Sequence, residues 1–236
     1  MELHKKIGNA TLDLLYLIER EYPRKASIEL VGNRYRMSAQ DRMVLYRGVF
    51  PREVCESRMR KRLKKTHDRP DRCVIDCYNV FITIESYLQG RLVFRALDGF
   101  VRDVSGVYGN YSFGELTKRT ARLLLQAMNG FLDKRTAVFF YLDYPVSRSG
   151  EFAAFLREKL EEEWTQSRVE VVKSPDMTIR KKHARDLIAT SDTIVIDAAE
   201  CCLDLPDLVL HGIMGKEIPD LQRLMKKDLP WIHDLL

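Results

Sequence analysis

The chain has 236 residues, 45% of them hydrophobic and 31% charged, with a net charge of +5. That balance is ordinary for a water-soluble protein, and the length suits one large domain or a domain of about 150 residues with an attachment. No apolar run approaches the roughly 20 residues needed to cross a bilayer, and Met1–Lys6 lacks the apolar core of a secretory signal, so the sequence points to the cytoplasm and away from any membrane.

Five cysteines (Cys55, Cys73, Cys77, Cys201 and Cys202) form an odd, irregularly spaced set, which reads as reduced thiols. The histidines at positions 4, 67, 183, 211 and 233 are scattered, so a zinc site is not expected. Charge is distributed unevenly. Residues 1–72 carry 18 Lys and Arg against 10 Asp and Glu, whereas the remainder carries 21 against 24. The first third therefore faces a polyanion, faces the acidic part of its own chain, or is a solvated basic surface.

Leu12, Leu14, Leu15, Leu17 and Ile18 give a helical stripe within Ile7–Glu21, which Pro23 ends. A short helix follows over Ala26–Val31, stopped by Gly32-Asn33. Ser38 is placed as the N-cap of a third helix through Gln40–Arg47. Residues 52–65, with Arg52, Arg58, Arg60, Lys61, Arg62, Lys64 and Lys65, suit a charged connecting helix. The polar stretch 66–72 is the expected boundary between a basic helical domain (1–70) and an α/β domain (71–236).

The second part opens with an apolar strand, Cys73–Asp76, and turns into a helix over about Val80–Leu88. A helix over Phe113–Asn129 precedes Ala137–Leu142, a continuous apolar run of the kind buried on both faces of a parallel sheet. A helix over Phe152–Trp164, a strand at Val169–Val172 and a strand over Asp186–Thr190 come next, with Leu208–Leu210 as the last strand. Thr193–Asp197 reads as strand by propensity, yet Ser191-Asp192 could start a helix there. The alternation is that of a parallel sheet flanked by helices.

Three strands finish on aspartates: Asp76, Asp143 and Asp192. The carboxyl ends of parallel strands form the crevice where ligands bind, and carboxylates gathered there repel one another unless a cation lies among them. Mg²⁺ or Mn²⁺ suits such oxygen ligands and could serve in-line attack on a phosphodiester. Each aspartate could instead cap a helix or turn. Asn79 is placed to hydrogen-bond Asp76 or a bound water, Ser191 to meet a phosphate or cap a helix, and Arg148 with Ser149 to recognise phosphate or cap the following helix. Asp176 is a secondary candidate, and Asp197 is structural if its segment is helical.

Val74-Ile75-Asp76-Cys77-Tyr78-Asn79-Val80 resembles the opening Asp-Gly-Tyr-Asn strand of the NYN branch of PIN-like nucleases, and Ala189-Thr190-Ser191-Asp192 resembles the late strand end of PIN domains. Leu30-Val31-Gly32-Asn33-Arg34-Tyr35-Arg36, Tyr141-Leu142-Asp143 with Pro145-Val146-Ser147, and Ser174-Pro175-Asp176 resemble recurring phrases of an uncharacterised prokaryotic family that pairs a small N-terminal domain with such a fold. The resemblance implies a Rossmann-like PIN/NYN fold and metal-dependent ribonuclease activity, with Asp76, Asp143 and Asp192 as catalytic metal ligands. Cys77 replaces the usual glycine, and the helix acid of PIN nucleases has only Glu85 and Glu115 as candidates. The alternative function is non-catalytic nucleic-acid binding on a degenerate PIN-like scaffold, and a homo-oligomer stays open. An aspartyl phosphatase would want an acid where Tyr78 stands, and a dinucleotide oxidoreductase would want a glycine-rich turn after the first strand.

Overall fold

The computed structural model describes residues 5–63, 70–105, 111–144, 146–164, 166–183 and 186–232. His4, Lys64, Lys65, His67, most of the expected 66–72 linker, Pro145 and His233 lie outside them.

Helices α1 (Lys5–Ile18), α2 (Arg24–Arg34), α3 (Ala39–Gly48) and α4 (Arg52–Lys61) come first. Strand β1 (Arg72–Asp76), helix α5 (Cys77–Leu88) and strands β2 (Val93–Arg95) and β3 (Val101–Asp103) follow. The chain then alternates through α6 (Glu115–Phe131), β4 (Ala137–Asp143), α7 (Ser149–Glu161), β5 (Ser167–Val172), α8 (Pro175–Lys182), β6 (Leu187–Ala189), α9 (Thr193–Ala198) and β7 (Cys201–Leu203). The one-turn helix α10 (Leu205–Asp207), a π-helical turn (Leu208–Ile213), α11 (Leu221–Met225) and a 3-10 turn (Pro230–Ile232) close the described chain.

These elements form two compact units: residues 1–60 with 91–104 and 218–236, and residues 61–90 with 105–217. Segments 91–104 and 218–236 thus group with the N-terminal helices rather than with the sheet on which the sequence reading placed them. Their side chains explain why. Phe94 and Leu97, with Leu221, Met225 and Ile232, share one apolar core with Leu14, Val44 and Leu45. Burial of that shared apolar surface holds the three segments together.

Within the first unit, α1 buries Ile7, Ala10, Leu14, Leu15 and Ile18, the three-and-four spacing of a one-sided helix. Ser38 caps α3 as expected. Its hydroxyl accepts from the Asp41 N–H at 3.1 Å, and the Asp41 carboxylate accepts from the Ser38 N–H at 3.2 Å. The basic run of α4 is not wholly solvated. Arg58, only 4% exposed, reaches Asp98 at 3.0 Å, and Arg102 grips the same carboxylate at 2.7 and 2.9 Å.

In the second unit five strands pair in the order β5-β4-β1-β6-β7, and every pairing is parallel. Counted within the sheet alone, that order is 3-2-1-4-5, so strand order reverses between β1 and β6. Helix α5 packs against β1 and β4, α7 against β4 and β5, and α8 against β1 and β4. Two segments depart from expectation. Leu208–Leu210 is not a strand: Pro206 opens α10, the Asp204 carboxylate accepts from the Asp207 N–H at 3.1 Å, and the chain winds on into the π-helical turn. The last strand is Cys201–Leu203, too short for its pattern to announce it. Thr193–Ala198 is helical because Asp192 caps it, overriding the β-propensity of Ile194-Val195-Ile196.

Candidate active site

The strand order reverses between β1 and β6, and parallel α/β sheets bind ligands in a crevice outside the carboxyl ends of the strands at such points. Asp76 is the last residue of β1, and Thr190, Ser191 and Asp192 follow β6 directly. The Thr190 hydroxyl donates to Asp76 Oδ2 at 2.7 Å across that crevice, and Asn79 Nδ2 donates to the same oxygen at 2.7 Å. Asp76 stands at the N-cap position of α5 yet makes no capping hydrogen bond. Its carboxylate is turned instead to Thr190 and Asn79. Among the described residues no donor reaches its Oδ1.

Asp76 is 2% exposed, and burial pushes its carboxyl up to about 7. The hydrogen bonds from Thr190 and Asn79 work against that rise, and the charges of Asp176 and Asp192 add to it. Asp143, half-buried at the end of β4, is raised to about 6 by burial and by Asp176. Asp176, in the first turn of α8, is raised by burial and by Asp192, while Arg180 partly offsets the shift. Four carboxylates from the ends of four parallel strands thus feel one another, with Asp176 acting on both Asp76 and Asp143. The sequence reading ranked Asp176 last of these; a Ser-Pro-Asp helix start looks like ordinary capping, and Ser174 is indeed the cap of α8.

Asp192 does double duty. Its Oδ1 accepts from the Ile194 and Val195 N–H groups at 2.8 and 3.1 Å, capping α9. Its Oδ2 receives no hydrogen bond among the described residues. Ser191 donates its hydroxyl to Asn79 O at 3.3 Å, tying the β6 end to α5. Arg148 is engaged elsewhere. It holds a positive φ of 60°, and its guanidinium binds Glu151 at 2.8 and 2.6 Å and Phe113 O at 2.8 Å. Ser149 begins α7 and donates its N–H to Val146 O at 3.2 Å. Of the two candidate helix acids, Glu115 is solvent-exposed and pairs with Lys118, whereas buried Glu85 accepts from the Tyr111 hydroxyl at 2.6 Å. Neither acts on the four aspartates. Asp197 lies within α9, consistent with a structural role.

Thr190 and Arg180 were missed as site residues. Thr190 sat in plain view beside Ser191-Asp192, but nothing in the sequence says that its hydroxyl crosses to β1. Arg180 stands four residues after Asp176 on α8, a spacing that puts both on one helix face.

The donor set is all oxygen, with Arg180 offsetting part of its charge, which fits a hard divalent cation better than a soft one. Among the described residues, no three His, Cys, Asp or Glu side chains stand close enough together to hold a metal ion as placed. The aspartates are neighbours rather than a closed ligand shell.

Residues 68–208 match the family described as Domain of unknown function (DUF5616). The chain belongs to that family. Residues 6–61 match Protein of unknown function (DUF434). A protein of Methanocaldococcus jannaschii, named Uncharacterized protein MJ0935, is 32% identical over 208 residues, covering 88% of this chain and 96% of its own. The DUF5616 match spans β1 to the start of the π-helical turn, and so contains all four crevice aspartates. No solved structure matches the chain. No described helix is long and apolar enough to cross a membrane.

Proposed function

We propose that this DUF5616 protein is a metal-dependent ribonuclease with a Rossmann-like, PIN/NYN-like catalytic unit. The observation that carries the reading is the grouping of Asp76, Asp143, Asp176 and Asp192 at the carboxyl ends of four parallel strands, with Asp76, Asp143 and Asp176 raised and Arg180 acting on Asp176. A site that gathers carboxylates at such cost to their ionisation is built for a cation.

Asp76, Asp143, Asp176 and Asp192 would hold Mg²⁺ or Mn²⁺, with Asp76 oriented by Thr190 and Asn79. The ion, when bound, supplies Lewis-acid stabilisation of the charge that builds on a phosphodiester. Asp143, half-buried like Asp176 and Asp192 and raised to about 6, would accept the proton of the attacking water. Exposed Arg180 meets a phosphate oxygen, the role the sequence reading gave to Arg148. The first unit adds surface for a single strand. Its exposed Tyr16 ring carries the Arg20 guanidinium at 3.6 Å, a cation that can meet a phosphate beside a ring that can stack on a base.

The experiment is cleavage of a labelled single-stranded RNA by the full chain in Mn²⁺, Mg²⁺ or EDTA. Cleavage in metal, lost in EDTA and reduced at least a hundredfold by Asp76→Asn or Asp176→Asn, is the expected result. No cleavage in any metal, or cleavage indifferent to both variants, refutes it. The second reading, nucleic-acid binding without catalysis, is favoured by the lack of an assembled three-ligand set among the described residues. It predicts RNA binding that weakens steeply with salt and ignores metal.

A further inference from the structure

The crossover from β5 to β6 must pass over β4 and β1, and it does so with the eight-residue helix α8. Helix α8 packs against β1 and β4, and it leaves an open groove over the amino-terminal half of β4 and β5. The groove has a volume of about 860 Å³ and is lined by Arg72, Phe139, Tyr141, Arg168, Glu170 and His183, among others. Strand register puts its residues on one face: Phe139 opposite Arg168, Tyr141 opposite Glu170, and Asp76 opposite Tyr141. Side chains alternate along a strand, so Asp143 belongs to this same face, four residues or ~13 Å from Phe139.

The floor is built and polar. His183, only 6% exposed, has Nδ1 at 2.7 Å from Asp186 and Nε2 at 2.9 Å from the Tyr141 hydroxyl. With Nδ1–H donated to Asp186, Nε2 accepts from Tyr141, which fixes both rings. Phe139 is half-buried, its ring 5.5 Å from that of His183, with the Arg168 guanidinium 5.9 Å from its centroid. Arg168 and Glu170 have no ion-pair partner among the described residues, although both stand on the wall of the groove. None of these groups is used by the aspartate site.

We propose that this groove binds a guanine base of the RNA strand, stacked on Phe139 with its hydrogen-bonding edges read by Glu170 and Arg168. The proposal rests on the ribonuclease reading for its ligand, an RNA strand leading to the aspartates along the same sheet face. The chemistry selects the base. A carboxylate offers two acceptors side by side, and guanine alone among the four bases offers two adjacent donors, N1–H and N2–H, to match them. Guanine also presents O6 and N7, the acceptor pair that an arginine fork fits. Arg72, half-exposed at the groove's other side and 3.8 Å from Asp186, has donors left to meet a phosphate.

The test is binding of the four nucleoside monophosphates to the full chain in EDTA, followed by titration calorimetry. GMP is expected to bind at least tenfold more tightly than AMP, CMP or UMP. Glu170→Gln should remove that preference, and Phe139→Ala or the exposed Arg168→Ala should weaken GMP about tenfold or more, with circular dichroism confirming folding. Asp76→Asn should leave GMP binding unchanged. Absence of binding, equal binding of all four, or a GMP affinity indifferent to Glu170→Gln and Arg168→Ala overturns the proposal. A second arm compares RNA hexamers with and without one guanine. Tighter binding of the guanine-containing hexamer supports the strand as occupant, whereas GMP binding without that difference makes this a free-nucleotide site and overturns the strand assignment. RNA cleavage without GMP binding sinks this proposal alone; GMP binding without cleavage sinks the ribonuclease reading alone.

Discussion

Asp76→Asn removes a charge that folding makes expensive. The Asp76 carboxyl, held near 7 by burial against an ordinary 3.8, is harder to ionise by about three pH units. At 1.36 kcal/mol per unit, the ionised form costs the folded protein roughly 4 kcal/mol above pH 7, to the nearest order of magnitude. The sign follows from proton binding. Between pH 7 and pH 4 the native state holds a proton that the unfolded chain has released, so this group's cost is full above 7, shrinks as pH falls, and is gone below about 4. Asparagine cannot ionise, and its carbonyl oxygen can still accept from both Thr190 and Asn79, which converge on a single oxygen of Asp76. In EDTA at pH 8 the variant should therefore be more stable than the parent, with a melting temperature higher by on the order of 10 °C, and the gain should vanish by pH 4. Thermal and urea denaturation at both pH values read this directly. Mn²⁺ should then narrow the gap at pH 8, because a ligand bound only by the folded parent adds about 2.7 kcal/mol at a hundred times its Kd, against the roughly 4 kcal/mol that the variant gains. A variant less stable than the parent at pH 8 in EDTA, or a gain that does not change with pH, refutes the account of Asp76.

Two further substitutions separate roles that look alike in sequence. Asp192→Ala removes the cap of α9 and should cost about 1 kcal/mol in urea denaturation even in EDTA, whereas Asp143→Asn, which caps no helix, should cost nothing there. Asp98→Asn leaves Arg58 and Arg102 buried without their shared counter-charge and should destabilise the first unit by roughly 3–5 kcal/mol, measured by denaturant unfolding followed at Trp231.

Most of the sheet was legible because its strands are apolar runs that stop at polar residues. Ala137–Asp143 is the plainest, paired with β1 along one edge and β5 along the other, although the groove leaves its Ala137 and Phe139 face only half-covered. Three-residue β7 and the β2–β3 hairpin were not, since segments that short carry no period, and Leu208–Leu210 looked like a strand until a proline and an aspartate cap set it winding as helix. The extent of the first unit was hidden for another reason: Phe94 and Leu221 lie 127 positions apart, and only a shared core joins them. At the site, the aspartates at strand ends could be read from pattern. Their relative weight could not. Asp176 gains its importance from where α8 begins, Asp192 spends one oxygen on a cap, and Arg148 is drawn to Glu151 three residues on.

The central claim is that Asp76, Asp143, Asp176 and Asp192 form one cation site, and Mn²⁺ binding to the full chain, followed by electron paramagnetic resonance at pH 7.5, tests it most directly. The account predicts one saturable site in the parent, weakened at least tenfold by Asp76→Asn and by Asp176→Asn alike. No saturable Mn²⁺ binding, or binding that survives both substitutions unchanged, would contradict it.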